Sequence, residues 1–169
     1  MTFPAPESGR PTAPHAASSG PGPGRLADVV RTMGGERLLG RIDDPLNVHD
    51  LIRRGLPTAA VRHLIESFEV VPQPEVARAM GVSLRTVQRL MRKDSAERLN
   101  AGQSDHAWQL AEVVTRAEDV FGSREAAESW LSRPAIGLDQ RRPIDLLGTS
   151  AGTSAVKTYL DRIDLGIYA

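Results

Sequence analysis

Four polar side chains recur at helical spacing between positions 85 and 92 and could together contact the edges of DNA bases. They are Arg85, Gln88, Arg89 and Arg92, and we call this set the cationic face. On an α-helix, residues three and four positions apart share one side. Arginine can donate two hydrogen bonds to a guanine edge, and glutamine can pair in a similar way with adenine. The spacing therefore predicts a helix that contacts nucleic acid.

Three further residues flank the cationic face. Ser83 is a favourable N-cap for a helix that begins at the next residue. Thr86 and Lys93 lie at the margins of the face, where contact with phosphate is expected rather than contact with bases. The alternative is an ordinary amphipathic helix whose arginines are simply exposed to solvent. The candidate DNA-binding residues are Ser83, Arg85, Thr86, Gln88, Arg89, Arg92 and Lys93.

The residues before the cationic face predict a second helix and a tight turn. Ala77 is small where two helices must approach closely, and Gly81 can adopt the positive φ of a turn. Apolar residues fall where the two helices would share a core, namely at Val76, Met80, Val82, Val87 and Leu90. This arrangement over residues 73–93 is typical of a helix-turn-helix, whose second helix lies in the DNA major groove. The agreement among these positions favours DNA binding over the solvated helix.

Length and composition restrict the class of protein. The chain has 169 residues, is 40% hydrophobic and has a formal net charge of zero, so we expect one compact domain or two small ones. No segment approaches the roughly 20 apolar residues of a membrane span, and no secretion signal is visible. With 0 cysteines, disulfides and thiolate metal sites are excluded. A DNA-binding unit predicts the cytoplasm of a prokaryote.

Charge and proline content vary along the chain. Residues 75–98 contain six basic and three acidic side chains, whereas residues 105–169 contain seven basic and ten acidic ones. Such asymmetry suits one surface for phosphate and another for a different partner. Residues 1–24 contain six of the 12 prolines and four of the 15 glycines. We therefore predict a disordered tail over residues 1–24.

Beyond the tail, apolar residues recur at helical spacing and no convincing strand alternation is present. Most of the predicted helices have a capping residue or a proline at their start, namely Asp44-Pro45, Pro57, Ser83, Ser104 or Asp105, Ser123, and Thr149, Ser150 or Thr153. Gly122 is predicted to end the long helix that follows Ser104 or Asp105. These helices are short enough to need packing against each other. The sequence predicts an all-α fold.

The C-terminal third contains landmarks that resemble a known family. In chain order they are Val120-Phe121-Gly122-Ser123, Ala126-Ala127, Trp130-Leu131, Pro134, Leu138, Arg142-Pro143-Ile144-Asp145-Leu146-Leu147, Gly152, Val156, Leu160, Ile163, Gly166 and Tyr168-Ala169. This order resembles the toxin-binding domain of the Xre/MbcA/ParS-like antitoxins. The part from about Arg25 to Val114 resembles the DNA-binding domain of the same family. One departure is Gln140, because family members commonly carry a glycine there.

The resemblance implies a helical bundle in which an Xre-like helix-turn-helix domain (residues 25–103) precedes a small helical toxin-binding domain (residues 104–169). It implies an antitoxin of a type II toxin–antitoxin module whose partner is a RES-domain toxin, which consumes NAD or uses it to ADP-ribosylate a target. The antitoxin would block this toxin, bind promoter DNA, repress its own operon and form a homodimer. The alternative is a stand-alone transcription regulator with a C-terminal dimerisation or ligand-sensing domain.

Four residues of the C-terminal third are candidates for toxin contact, namely Trp130, Arg141, Arg142 and Tyr168. Aromatic and arginine side chains dominate protein interfaces. Trp130 could equally pack in the core, as we expect for Tyr159, and Tyr168 could be a frayed terminus. The two arginines could occupy anion sites in a NAD-binding cleft. They could also be neutralised by nearby carboxylates such as Asp139 and Asp145.

The sequence contains no recognisable catalytic constellation. The histidines His15, His49, His63 and His106 are scattered, and no two have the helical spacing of a metal site. The C-terminal serines lack a nucleophile elbow and a plausible histidine base. The glycine-rich segment 148–154 is better explained by capping of the next helix. We therefore expect a non-enzymatic protein with no metal and no cofactor.

Overall fold

Helices provide the regular structure of this protein. The computed structural model describes residues 23–92 and 97–167, so the predicted tail lies almost entirely outside the described residues. The described ranges contain a 3₁₀ turn at Ile136–Leu138 and ten α-helices, which are α1 (Pro23–Thr32), α2 (Glu36–Leu39), α3 (Pro45–Arg54), α4 (Thr58–Glu66), α5 (Gln73–Ala79), α6 (Leu84–Leu90), α7 (Ala101–Phe121), α8 (Arg124–Leu131), α9 (Pro143–Leu146) and α10 (Ser150–Asp164). Isolated β-bridges occur, but these ranges contain no strand, which confirms the all-α class. None of these helices is both long and apolar enough to cross a membrane.

Side-chain caps fix the starts of several helices at the predicted positions. Asp44 accepts hydrogen bonds from two backbone N–H groups of α3, at 2.7 and 2.9 Å. Ser83, Ser123 and Thr149 each accept one from the first turn of α6, α8 and α10 respectively. At the end of α7, Gly122 adopts the left-handed conformation with φ +83°. Local capping chemistry therefore sets these boundaries.

The start of α7 differs from the sequence prediction. Asn100 is the N-cap, and its side chain accepts a hydrogen bond from the backbone N–H of Gln103 at 2.8 Å. The predicted caps Ser104 and Asp105 are wrong, because both residues lie inside the helix. Ser104 is fully buried, and its hydroxyl accepts a hydrogen bond from the backbone N–H of Leu56 at 2.9 Å. The predicted boundary between residues 103 and 104 therefore falls within α7.

α7 is the central helix of the fold. Helices α1, α3, α8 and α10 all pack against it. Its buried side chains include Trp108, Leu110 and Val114. The buried apolar residues form a single cluster that extends from Leu26 on α1 to Leu160 on α10. Because both predicted domains contribute to this cluster, they pack against each other instead of being joined by a free linker.

Candidate functional site

The helix-turn-helix consists of α5 and α6, which pack through small and apolar side chains. Ala77 is only 2% exposed at their contact. Val76, Met80, Val87 and Leu90 are buried as the spacing predicts. Gly81 in the turn adopts φ +63°, and a Cβ atom there would lie 2.8 Å from Nδ1 of His106 on α7. Both the backbone angle and the close approach of α7 therefore require glycine at this position.

The first turn of α6 is fixed by two of the candidate residues. The Ser83 hydroxyl accepts a hydrogen bond from the backbone N–H of Thr86 at 3.1 Å. The two side-chain hydroxyls are also hydrogen-bonded to each other, at 3.0 Å. Ser83 therefore acts as the predicted cap. A phosphate contact by Thr86 would have to share a hydroxyl that already takes part in this capping arrangement.

The cationic face is exposed to solvent on α6. Its four side chains are all exposed, whereas Val87 and Leu90 on the opposite side of the helix are buried. The four residues line one open depression together with Ser83 and Thr86. The structure thus brings together six of the seven candidate DNA-binding residues. The seventh, Lys93, lies outside the described residues.

The arginines of the cationic face differ in their partners. Arg85 has no ion pair or side-chain hydrogen bond with any described residue. In contrast, Nη1 of Arg89 lies 3.4 Å from Oε2 of Glu97. Arg62 on α4 donates a hydrogen bond to the backbone carbonyl of Arg92 at 3.2 Å, which adds a cation at the C-terminal end of α6. Sequence reasoning missed Arg62 and Glu97 because neither follows the spacing of α6.

Trp130 lies half-buried in an aromatic cluster formed by α7, α8 and α10. Its ring centroid is 5.2 Å from that of Phe121 and 6.3 Å from that of Tyr159. Tyr159 in turn packs against Gly137, where a Cβ atom would come within 2.2 Å of the tyrosine ring. These contacts favour a packing role for both aromatic residues. A partner could reach only the part of Trp130 that remains exposed.

The adjacent arginines at positions 141 and 142 have different environments. Arg141 is exposed, and its guanidinium has no partner among the described residues. Arg142 donates two hydrogen bonds of 2.8 Å to Asp145 and another of 3.1 Å to Glu75 on α5. Hydrogen bonds to Asp145 and Glu75 raise the pKa of Arg142, and the bond from Arg142 lowers the pKa of Asp145. Arg142 therefore connects the C-terminal third to the helix-turn-helix.

The loop before Arg141 contains two non-glycine residues in the left-handed region. Asp139 has φ +52° and Gln140 has φ +59°. This conformation costs most residues about 1–2 kcal/mol, although aspartate tolerates it better. The backbone N–H of Gln140 donates to the carbonyl of Ala135 at 3.0 Å. Gln140 thus adopts a glycine-like angle at the position where it departs from the resembled family.

A buried carboxylate that sequence reasoning missed also joins the two regions. Glu128 on α8 has no exposed surface, and it accepts hydrogen bonds of 2.7–3.1 Å from the backbone N–H groups of residues 69–71. Arg124 donates another at 3.2 Å. Residues 69–71 lead directly into α5. The available signal was that Glu128 lies between Ala127 and Leu131 on the apolar side of α8.

Comparison with known proteins identifies the family. Residues 48–112 match the antitoxin Xre-like helix-turn-helix domain, and residues 116–166 match the antitoxin Xre/MbcA/ParS C-terminal toxin-binding domain. Antitoxin Xre of Yersinia enterocolitica is 30% identical over 106 residues, which cover 62% of this chain and 70% of that relative. This chain belongs to the Xre antitoxin family.

A second Xre antitoxin shows that the similarity extends over most of the chain. Antitoxin Xre of Pseudomonas putida is 29% identical over 150 residues, which cover 83% of this chain and 91% of that relative. Helices α5 and α6 fall within the helix-turn-helix match, and α8 to α10 fall within the toxin-binding match. This Xre-family antitoxin therefore has a DNA-binding and a toxin-binding domain, in a family not known to contain enzymes.

Proposed function

We propose that this antitoxin blocks a RES-domain toxin that consumes NAD or ADP-ribosylates a target with it, and that it represses its own operon through α6. The observation that carries this proposal is the distribution of unpaired cations. Arg85 on α6 and Arg141 in the C-terminal third are both exposed and have no partner among the described residues. Each is available to another molecule, and each lies in a different family match.

On DNA, the cationic face contacts base edges in the major groove. Arg85 lies near the N-terminal end of α6, which is the part of a recognition helix that usually reaches the bases. The proposed DNA-binding residues are Ser83, Arg85, Thr86, Gln88, Arg89, Arg92 and Lys93. Because phosphate neutralisation releases counterions, the affinity should fall steeply as salt is raised. A homodimer would present two copies of α6 to a two-fold symmetric operator.

On the toxin, the contact surface lies in the C-terminal third. The exposed apolar side chains Ile136, Leu165 and Ile167 flank α10, with exposed fractions of 78%, 70% and 56%. Exposed apolar side chains and exposed arginines are typical of an interface. An arginine also suits the anion-binding cleft of a NAD-consuming enzyme. The proposed toxin-binding residues are Trp130, Arg141, Arg142 and Tyr168, of which Tyr168 lies outside the described residues.

Within this set, Arg141 is the strongest candidate for direct contact. Arg142 would have to release Glu75 or Asp145 to bind another carboxylate or phosphate, whereas Arg141 has no partner to release in the described part of the chain. We propose that residues 25–103 and 104–169 form the two functional units. Residues 101–103 belong to α7 and are therefore part of the same helix as the beginning of the second unit.

Co-expression with the neighbouring gene tests this function. The antitoxin should copurify with a RES-domain product and restore growth to cells that express that product alone. In a gel-shift assay, it should bind the upstream region of its own operon more tightly than a scrambled duplex. If it binds the promoter but neither copurifies nor restores growth, the result supports a stand-alone regulator. If it does neither, both parts of the proposal are wrong.

A further inference from the structure

A carboxylate lies close to the cationic face, where its charge should oppose DNA binding. Oε2 of Glu97 is 3.4 Å from Nη1 of Arg89, and the two side chains are 65% and 58% exposed. An acidic group beside a DNA-binding surface repels phosphate and weakens association. A surface ion pair of this kind contributes little to stability. The position of Glu97 therefore suggests a role in recognition.

The backbone of Glu97 is held in place by the connection between α3 and α4. The backbone N–H of Thr58 donates to the carbonyl of Glu97 at 3.2 Å, and the Thr58 hydroxyl donates to the same oxygen. The neighbouring Arg98 donates to the carbonyl of Gly55 at 2.7 Å. A further backbone hydrogen bond of 3.0 Å joins residues 56 and 99. The Glu97 carboxylate is therefore attached to a fixed segment beside α6.

The geometry of the ion pair leaves one edge of the Arg89 guanidinium free. The contact with Glu97 uses Nη1, while Nε and Nη2 have no partner among the described residues. Nε–H and Nη2–H form a two-donor edge that matches O6 and N7 of guanine. Restraining a flexible side chain before binding reduces the conformational entropy that is lost in the complex. Arg85 has no comparable restraint.

We propose that Glu97 is a positioning residue for DNA recognition and increases the discrimination between the operator and other DNA. On the operator, Glu97 orients Arg89 so that its free edge meets a guanine, which offsets the repulsion between the carboxylate and phosphate. On other DNA, Arg89 has only phosphate to contact. The ion pair with Glu97 then competes with the contact between Arg89 and phosphate, and the carboxylate repels the DNA backbone. This inference rests on the proposed contact between the cationic face and DNA.

The test compares the full-length wild type with Glu97→Gln and with the control Glu125→Gln. Glu125 is exposed on α8 and has no ion pair with a described residue, so its replacement makes the same change in net charge. Binding is measured by fluorescence anisotropy at one salt concentration, with a duplex of the upstream region and a scrambled duplex of equal composition. We expect Glu97→Gln to lower the ratio of the two affinities about 3-fold. Glu125→Gln should change both affinities equally, by less than about 2-fold.

The same measurements in an Arg89→Ala background show whether Glu97 acts through Arg89. In that background, Glu97→Gln should tighten binding to both duplexes equally and leave their ratio unchanged. Equal tightening in the presence of Arg89, no change at all, or a loss of discrimination that persists without Arg89 would each overturn the inference. If the wild type shows no preference for its upstream duplex, the proposed DNA function fails instead, and the inference fails with it.

Discussion

The cationic face of α6 and the loop at residues 137–142 both carry arginines, but they use them differently. On α6, Arg85 is exposed and has no partner among the described residues, while the opposite side of the helix is buried. In the loop, Arg141 has no partner within residues 23–92 and 97–167, whereas Arg142 joins Asp145 to Glu75. Charge alone therefore does not mark a binding surface. The partners of each charge show which arginines hold the fold together and which are available to another molecule.

The two regions also differ in how their residues are positioned. The cationic face is created by helical spacing within eight consecutive residues. The contacts between the two regions depend on Glu128 and Arg142, which reach partners 57–59 and 67 residues away along the chain. Changes to α6 should therefore have local effects. Changes to Glu128 or Arg142 should weaken the attachment of one region to the other.

The largest effect is expected for Glu128→Ala, which removes the buried connection between α8 and the segment before α5. Three backbone N–H groups would lose their acceptor, and Arg124 would lose one of its partners while keeping Ser67 and Glu118. We expect the free energy of unfolding to fall by about 3–5 kcal/mol, measured by urea denaturation. Glu128→Gln keeps one oxygen acceptor, so its free energy of unfolding should fall by less than that of the alanine variant. A loss below about 1 kcal/mol for the alanine variant would mean that the connection is unimportant.

Replacement of Arg85 or Arg89 by alanine should weaken operator binding without affecting the rest of the molecule. Each variant should lose about 1–3 kcal/mol of binding free energy if its arginine contacts a guanine edge. A gel-shift assay with the upstream region gives the affinity, and thermal unfolding checks that α6 remains folded. Arg133→Ala, which removes an exposed arginine from the C-terminal third, is the matched control. Unchanged affinity in both variants would exclude the cationic face from DNA recognition.

The ion pair between Arg142 and Asp145 should produce a pH-dependent difference in stability. The hydrogen bond from Arg142 lowers the pKa of Asp145 below its ordinary value of 3.8, so this stabilisation is present at neutral pH. It is lost as the pH falls through the lowered pKa. Because Asp145 is 43% exposed, solvent weakens the ion pair. We therefore expect the free energy of unfolding of the wild type to exceed that of Arg142→Ala by only about 1 kcal/mol at pH 7.

The pH dependence of that difference is the decisive part of this prediction. The advantage of the wild type over Arg142→Ala should shrink as the pH falls below about 4, as followed by urea denaturation at several pH values. Asp145→Asn serves as the control, since it removes the titrating carboxyl and should remove this part of the pH dependence. A difference that stays constant down to pH 2 would contradict the assigned interaction.

The smallest effect is expected for Gln140→Gly, which relieves a strained backbone angle in the loop. Removing the strain of the left-handed conformation should raise the free energy of unfolding by about 1–2 kcal/mol. The greater conformational freedom of glycine in the unfolded chain offsets part of that increase. We expect a net stabilisation of about 0.5 kcal/mol by thermal unfolding. Gln140→Ala keeps the strain and should give no gain. A glycine variant less stable than the wild type would indicate that the Gln140 side chain contributes to the fold.

Sequence reasoning succeeded where structure is determined locally. The Ser83 and Ser123 caps and the positive φ of Gly81 follow from residues within one helical turn. Reasoning failed at Ser104, because capping preference does not reveal that its hydroxyl is needed by a backbone N–H group 48 residues earlier. It missed Glu128 for the same reason. Hydrogen bonds between distant segments depend on how the helices pack, and helical spacing carries little information about that.

The most direct test measures both binding activities in two complementary sets of variants. One set combines Arg85→Ala with Arg89→Ala, and the other combines Arg141→Ala with Ile136→Asp. Affinities for upstream DNA and for the copurified toxin are determined for each folded variant. Two separate surfaces predict that the first set loses DNA binding alone, and that the second set loses toxin binding alone. Loss of both activities in either set would contradict the separation of the two surfaces.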